Sequence, residues 1–409
     1  MNTVDRTVAS LKPAMLDAVE NTPADESRIP ALTAASQERS RRHVPKLPIA
    51  LAVGTAVATA GVAVVALRPG DGSAPAPGNA LLVAAASAQK APAGRYWHAK
   101  TVLGEIYAVG ARKATHYRVD SRQGIDNWTA RDGRGSSANL DLPDVPVTAQ
   151  DKQRWKAAGS PGWVKIPNSE GGEEQMLLEM NPPPGQMGPR MPSDGRWYGL
   201  TLGQIAKLPT EPKALQNTLL GLKGDWHAYT SKTRKEPIRA LSGQERVRAL
   251  SDVAGTLLST APAPPKVRAA TFRMLAALPG VRPQGRTVDP QGRPGTVVSL
   301  PLETTVELGL YTAPKQLGTY QRQFIIDPAA GKLLAIRDLV VNPPHGGRPL
   351  PTGDNGKPRR LEAKDMPDRF HQRGELAGYQ LFEVSEWTDA VPPAGALLPP
   401  DLKTARPRG

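Results

Sequence analysis

Between Lys46 and Arg68 the chain reads LPIALAVGTAVATAGVAVVAL, 21 residues without a charge. As a helix rising about 1.5 Å per residue this run is about 31 Å long, the thickness of a bilayer's hydrocarbon core. Seven of its residues are alanine and nine are Leu, Ile or Val. At roughly −0.4 kcal/mol per large aliphatic residue, insertion is favoured by about 4 kcal/mol before Pro48, Gly54, Thr55, Thr59 and Gly61 subtract from it. Orientation follows from the flanks: Arg39, Arg41, Arg42 and Lys46 precede the run, and Arg68 alone follows closely. The positive-inside rule then divides the chain into a cytoplasmic tail (1–46), a transmembrane helix (47–67), a stalk (68–78, RPGDGSAPAPG) and an extracytoplasmic domain (79–409) at the cell membrane.

The same residues leave a second reading open. Ser40–Lys46 (SRRHVPK) has the paired arginines of a twin-arginine export signal, and Ala74-Pro75-Ala76 is a small-x-small cleavage candidate. Against cleavage, that candidate lies nine residues past the apolar run, with Arg68 and Asp71 between.

In the tail, Val4, Val8, Leu11, Met15 and Val19 fall near one helical face, a candidate surface for a cytoplasmic partner. Pro13 would kink that helix, and a tail whose pattern is chance is the competing account. Residues 1–38 carry a net charge of −3, whereas everything from Leu47 onward holds 45 basic and 32 acidic residues. A domain this basic outside the membrane suits anionic cell-wall polymers or lipid headgroups, not nucleic acid; solvated surface charge is the plainer reading. With no cysteine in 409 residues, disulfides, zinc-thiolate sites and thiol catalysis are excluded.

Beyond the stalk, residues 80–90 (ALLVAAASAQK) read as a helix, followed by an antiparallel meander from Tyr96 to Gly133. Ser160–Arg196, rich in Pro, Gly and Met, reads as loop. Thr201–Gln204 and Ser242–Glu245 have capping-box form. The second box opens a helix carrying Val247, Leu250, Val253 and Leu257, and a partner helix from Pro265 stops at Pro279-Gly280. Their apolar stripes call for a sheet face as cover. Hairpins are expected around Asp289-Pro-Gln-Gly292 and Asp327-Pro-Ala-Ala-Gly331, with a strand at 304–311 (TTVELGLY). A proline-rich basic loop, Asn342–Arg373, precedes a final strand that places Tyr379, Leu381 and Trp387 on one face and Phe382 and Val384 on the other. Apolar residues on both faces make that strand interior to the sheet.

Sites for chemistry are hard to find. His43, His98, His116, His227, His345 and His371 include no pair at ligand spacing, so no metal is expected. There is no G-x-S-x-G elbow. Gly133–Ala138 fits a dinucleotide pattern on paper, but no helix can follow it and a turn is the better reading. Glu303 and Glu307 have no paired acid. Asn127-Trp128-Thr129 has sequon form, with Trp128 better read as a packed strand residue. The remaining tryptophans, 97, 155, 163, 197, 226 and 387, read as core more readily than as a cavity lining. No cofactor and no enzymatic activity are expected.

The order of stalk, meander, helices and hairpins resembles an actinobacterial family of single-pass membrane proteins of unknown function, often encoded beside extracytoplasmic-function sigma factors. The resemblance rests on LPTEPKALQNTLL (208–220), LPGV, DPQGRPG, FIIDPAAGKLLA and the terminal YQLFEVSEWTDAVP. The outer part is also similar in layout to the half-barrel of lipoprotein carriers and of periplasmic regulators of anti-sigma factors. That likeness implies an α+β fold: a curved, half-barrel-like antiparallel sheet with a few covering helices. It implies a sensor or partner-binding protein, anti-sigma-like through a tail that engages a sigma factor. The alternative is a tethered or exported lipid- or lipoprotein-binding shell. Fold analogy alone cannot separate these.

Overall fold

A computed structural model describes residues 80–167, 175–180, 187–193, 195–224, 226, 235–304, 318–350, 352 and 356–399. The proposed span Leu47–Leu67 lies outside these residues, as do Val4, Val8, Leu11, Met15, Val19, Arg39, Arg41, Arg42 and Lys46. No helix among the described residues is long and apolar enough to cross a membrane.

The chain is α+β. It opens with α1 (Ala80–Gln89), then β1 (Tyr96–Val109), β2 (Tyr117–Ala130), β3 (Gly135–Asp141) and the short β4 (Val145–Pro146). Next come α2 (Ala149–Ala157), β5 (Trp163–Pro167), β6 (Gln175–Glu179), β7 (Met191–Pro192), β8 (Arg196–Trp197) and β9 (Leu200–Thr201). The middle holds α3 (Leu202–Ala206), α4 (Pro212–Leu219), β10 (Lys223–Gly224), β11 (Glu236–Pro237), α5 (Gly243–Ser259) and α6 (Pro265–Ala277). The last part is β12 (Arg282–Val288), β13 (Pro294–Thr304), β14 (Thr319–Asp327), β15 (Lys332–Asn342), β16 (Gly347–Leu350), β17 (Arg359–Glu362) and β18 (Leu376–Thr388).

A 10-stranded sheet, with the order β12-β13-β14-β15-β18-β1-β2-β3-β7 and β4 paired to β2, organises the molecule. All its pairings that involve the long strands are antiparallel. The final strand, β18, sits between β15 and β1 and joins two local meanders into one sheet. As expected from its sequence, it is interior.

One face is covered by helices. Val298, Phe324, Ile326, Ile336 and Phe382 of the sheet share a core with Leu250, Val253, Ala254 and Leu257 of α5 and with Phe272 and Leu275 of α6. The stripe on α5 is thus buried against the sheet, as its spacing requires. A buried ion triad pins the same helix: Arg322 reaches Asp252 of α5 at 2.7 Å and Asp338 of β15 at 3.0 Å. The alanine-rich α1 packs on α6 and on the Asp327–Gly331 turn. Gly331 is required there, because its φ is +63° and a Cβ would lie 2.3 Å from the Ala88 nitrogen.

Four expectations are corrected. Ser160–Arg196 is not all loop: β5 and β6 pair, and β7 joins the edge of the main sheet. The Ser242 box does not form. Ser242 is the N-cap, but its hydroxyl makes no cap bond, and Gly243 follows with φ +49°. Thr201–Gln204 does form a capping box, and so does Thr148–Asp151. Asn342–Arg373 contains the β16–β17 hairpin. Of the strand expected at 304–311, Thr304 ends β13 and the rest lies outside the described residues.

The fourth correction concerns the faces of β18. Lys100 pairs with Val384 and Thr101 with Phe382, so Glu383 is an inserted residue, a β-bulge. Past it the alternation reverses. Phe382 joins the helix-side core, and Trp387 donates its Nε1–H to the Ala263 carbonyl on that side at 3.1 Å. Tyr379 and Leu381 point to the opposite face, as does Val384. Strict alternation put Trp387 with Tyr379 because it could not see one extra residue.

Trp97 and Trp387 meet edge to face at 5.6 Å, and the Arg268 guanidinium lies over Trp97. Arg268 donates to the carbonyls of Ser385 and Leu258, and burial draws it down to about 10. The arginine thereby ties α5 and α6 to β18 without a carboxylate.

Two substitutions test the bulge. Phe382→Ala should lower unfolding free energy by about 3–5 kcal/mol, the cost of an emptied core site, and Val384→Ala by less than about 1.5 kcal/mol. Chemical denaturation of the two variants measures both. Equal losses would contradict the assigned faces.

Candidate functional site: a polar row on the second face of the sheet

The face away from α5 and α6 is organised in cross-strand rows. One is apolar: Val297, Ile325, Ala335, Leu381 and Val102 are successive neighbours on β13, β14, β15, β18 and β1. Beside it runs a polar row in which Ser299, Gln323, Arg337, Tyr379, Gly104 and Arg122 are register partners from β13 to β2. Leu142, just after β3, and Leu376 pack against the apolar cluster while staying partly open to solvent.

Gly104 makes the row continuous. A Cβ at that position would lie 2.2 Å from Cζ of Tyr379. Only glycine lets the phenol ring lie across β1, where its hydroxyl donates to Oδ2 of Asp120 on β2 at 2.8 Å. The other oxygen, Oδ1 of Asp120, is buried and has no partner. The link from β3 to β4 closes over this end: Asp144 Oδ1 accepts from the Arg122 amide at 3.1 Å, and the Arg122 guanidinium donates twice to the Pro143 carbonyl.

Burial dominates the electrostatics here. It pushes Asp120 up to about 6, against the opposing Tyr379 hydrogen bond and Arg122 charge. Asp144 is likewise raised to about 6 by burial. Tyr379 is raised by burial and by the Asp120 charge.

In the other half of the row, Arg337 donates from Nε to Oε1 of Gln323 at 2.9 Å, and Gln323 donates from Nε2 to Ser299 Oγ at 3.3 Å. Burial is the sole influence that moves Arg337, lowering it, and no carboxylate among the described residues pairs with it. Several other arginines of the fold differ. Arg293 is bound by Asp289 at 2.5 Å, Arg190 by Asp126 at 2.5 Å, and Arg118 by both Asp151 and Glu375.

A second polar group lies beyond the apolar row on the same face. Asp126 sits between His98 Nε2 at 2.7 Å and Arg190 at 2.5 Å, and His98 stacks on Trp128 at 4.0 Å. Burial would raise Asp126, but the hydrogen bonds from His98 and Arg190 outweigh it and hold the carboxyl below its usual range. Among the described residues no hydroxyl or amine is hydrogen-bonded to His98 of this pair.

The other sequence candidates are scattered. His116 is held by the Lys113 carbonyl and His345 by that of Pro343. His371 is buried with neither ring nitrogen hydrogen-bonded, and burial lowers it to about 3. Among the described residues no three His, Asp or Glu side chains group as metal ligands. Gly133 belongs to the β2–β3 turn, and Trp97, Trp128, Trp197, Trp226 and Trp387 are buried while Trp163 is 57% exposed. His43, His227 and Glu307 lie outside the described residues.

The polar row was missed in the sequence. Its members lie far apart, from Gly104 to Tyr379, and only strand register aligns them. Gly104 in the interior of a long strand was the one local signal of a close approach.

Comparison with protein-family models, with curated proteins and with solved structures returned no match.

Two measurements check this site. Gly104→Ala should cost about 1–3 kcal/mol of stability through overpacking against Tyr379, read as a lowered denaturation midpoint. The raised carboxyls of Asp120 and Asp144 favour the folded state most below pH 4, and that contribution is lost as pH rises through about 6. Asp120→Asn keeps an acceptor for Tyr379 and removes the titration. Relative to the parent, its Tm should therefore gain most above pH 6 and least at pH 4; a pH-independent difference would contradict the assignment.

Proposed function

We propose that this chain is a membrane-anchored extracytoplasmic sensor or partner-binding protein, whose sheet acts as a half-barrel-like shell and binds through its second face. The observation that carries this reading is the cross-strand polar row that contains Arg337, a cation with no carboxylate partner among the described residues, on the face away from α5 and α6. Leu47–Leu67 is the single span, with Arg39, Arg41, Arg42 and Lys46 on the cytoplasmic side. Val4, Val8, Leu11, Met15 and Val19 form the face through which the tail engages a sigma factor or a similar regulator.

The lipid-shell alternative draws on Leu142 and Leu376, which border the apolar row and are partly exposed. It is weakened by the row itself, since Ile325 and Leu381 are 0% and 2% exposed and leave little apolar surface to offer.

Deleting residues 1–38 while keeping the span should change the RNA level of a linked regulon when the outer domain is left intact. Unchanged transcription would remove the regulatory role and leave a tethered binding domain.

A further inference from the structure

We propose that Arg337 is an oxyanion site that takes a phosphate or carboxylate on the second face of the sheet. The proposal rests on the reading of that face as the binding face, and it names the ligand chemistry.

A guanidinium removed from water without a counter-charge is costly, and proteins ordinarily supply one. Other arginines of the fold are satisfied within the protein: Arg322 has two aspartates, Arg118 has Asp151 and Glu375, Arg293 has Asp289, and Arg268 has the carbonyls of Ser385 and Leu258. Arg337 has no carboxylate among the described residues, although burial already lowers its proton affinity. Its position is nevertheless set. Gln323 accepts from its Nε, and Ser299 in turn accepts from Gln323, so the plane of the guanidinium is held by two buried side chains. That leaves the Nη groups, the edge that binds an oxyanion with two parallel hydrogen bonds.

The row neighbours do not compete. Tyr379 gives its hydroxyl to Asp120, and Asp120 and Asp144 sit toward β2, where Arg122 faces them. The oxyanion has two sources that share this chemistry: free phosphate, or the head of an amphiphile whose apolar part would contact Leu142 and Leu376.

The test uses the full chain in nanodiscs of zwitterionic phosphatidylcholine, with thermal melting followed by tryptophan fluorescence. Inorganic phosphate, butyl phosphate and butyltrimethylammonium are titrated in turn. Phosphate or butyl phosphate should raise the Tm, and butyltrimethylammonium should not. Arg337→Gln should weaken anion binding about 10- to 100-fold, the equivalent of one lost charge-assisted pair, and Arg337→Lys should retain part of it. The lysine variant also keeps the test decisive if the glutamine variant does not fold.

Butyl phosphate binding well above phosphate identifies an amphiphile head, and equal binding identifies a free oxyanion. Anion binding unchanged in Arg337→Gln would overturn the proposal. So would stabilisation by butyltrimethylammonium equal to that by butyl phosphate, although the face would remain a binding surface. No shift with any probe would remove both the oxyanion site and the binding role of that face.

Discussion

The pairing of β18 with β1 and β15 holds this molecule together. Without it, β1–β3 and β12–β15 are separate meanders, one from the start of the described chain and one from its end. Tyr96 pairs with Thr388 and Ala335 with Leu381, so the sheet closes only after the last long strand is made. Pairings this far apart in sequence cost loop-closure entropy before they return any contact. The return is a strand buried on both sides: Phe382 in the helix-side core, Leu381 and Tyr379 in the rows of the other face. Trp97, Trp387 and Arg268 then lock the α5–α6 junction to the same strand.

The bulge at Glu383 gives β18 two different jobs. Before it, odd-numbered residues face away from the helices; beyond it, they face toward them. The bulged residue is itself used, since Glu383 accepts from Lys100 at 2.8 Å and from Gln291 at 2.7 Å. Other arginines here find a carboxylate or, as Arg268 does, backbone carbonyls, whereas among the described residues Arg337 meets only the Gln323 side chain. Asp120 is the complementary case: a carboxyl whose second oxygen has no partner and whose charge is disfavoured by burial.

Much of the fold was legible in the sequence. Hydrophobic spacing located α5 and α6, and Asp-Pro turn chemistry located the β12–β13 and β14–β15 hairpins, because both signals are local. The register was not legible. Nothing in the neighbourhood of Glu383 marks it as an insertion, and the hairpin β5–β6 lies in a stretch whose proline and glycine content reads as loop. The polar row is harder still, since Ser299, Gln323, Arg337 and Tyr379 become neighbours only through three strand pairings. Histidine spacing was a poor guide, because His98 finds its partner Asp126 across a strand and not along one.

In the proposed function Leu47–Leu67 would join this sheet to a membrane, so that a ligand outside and a protein inside act on one uncut chain. Intact mass and membrane partition of a C-terminally tagged copy test that link most directly. The account predicts a full-length species that requires detergent for extraction. A species free in the aqueous fraction and trimmed near Ala76 would contradict it, making the first 76 residues an export address and leaving Val4–Val19 with no part in the mature protein.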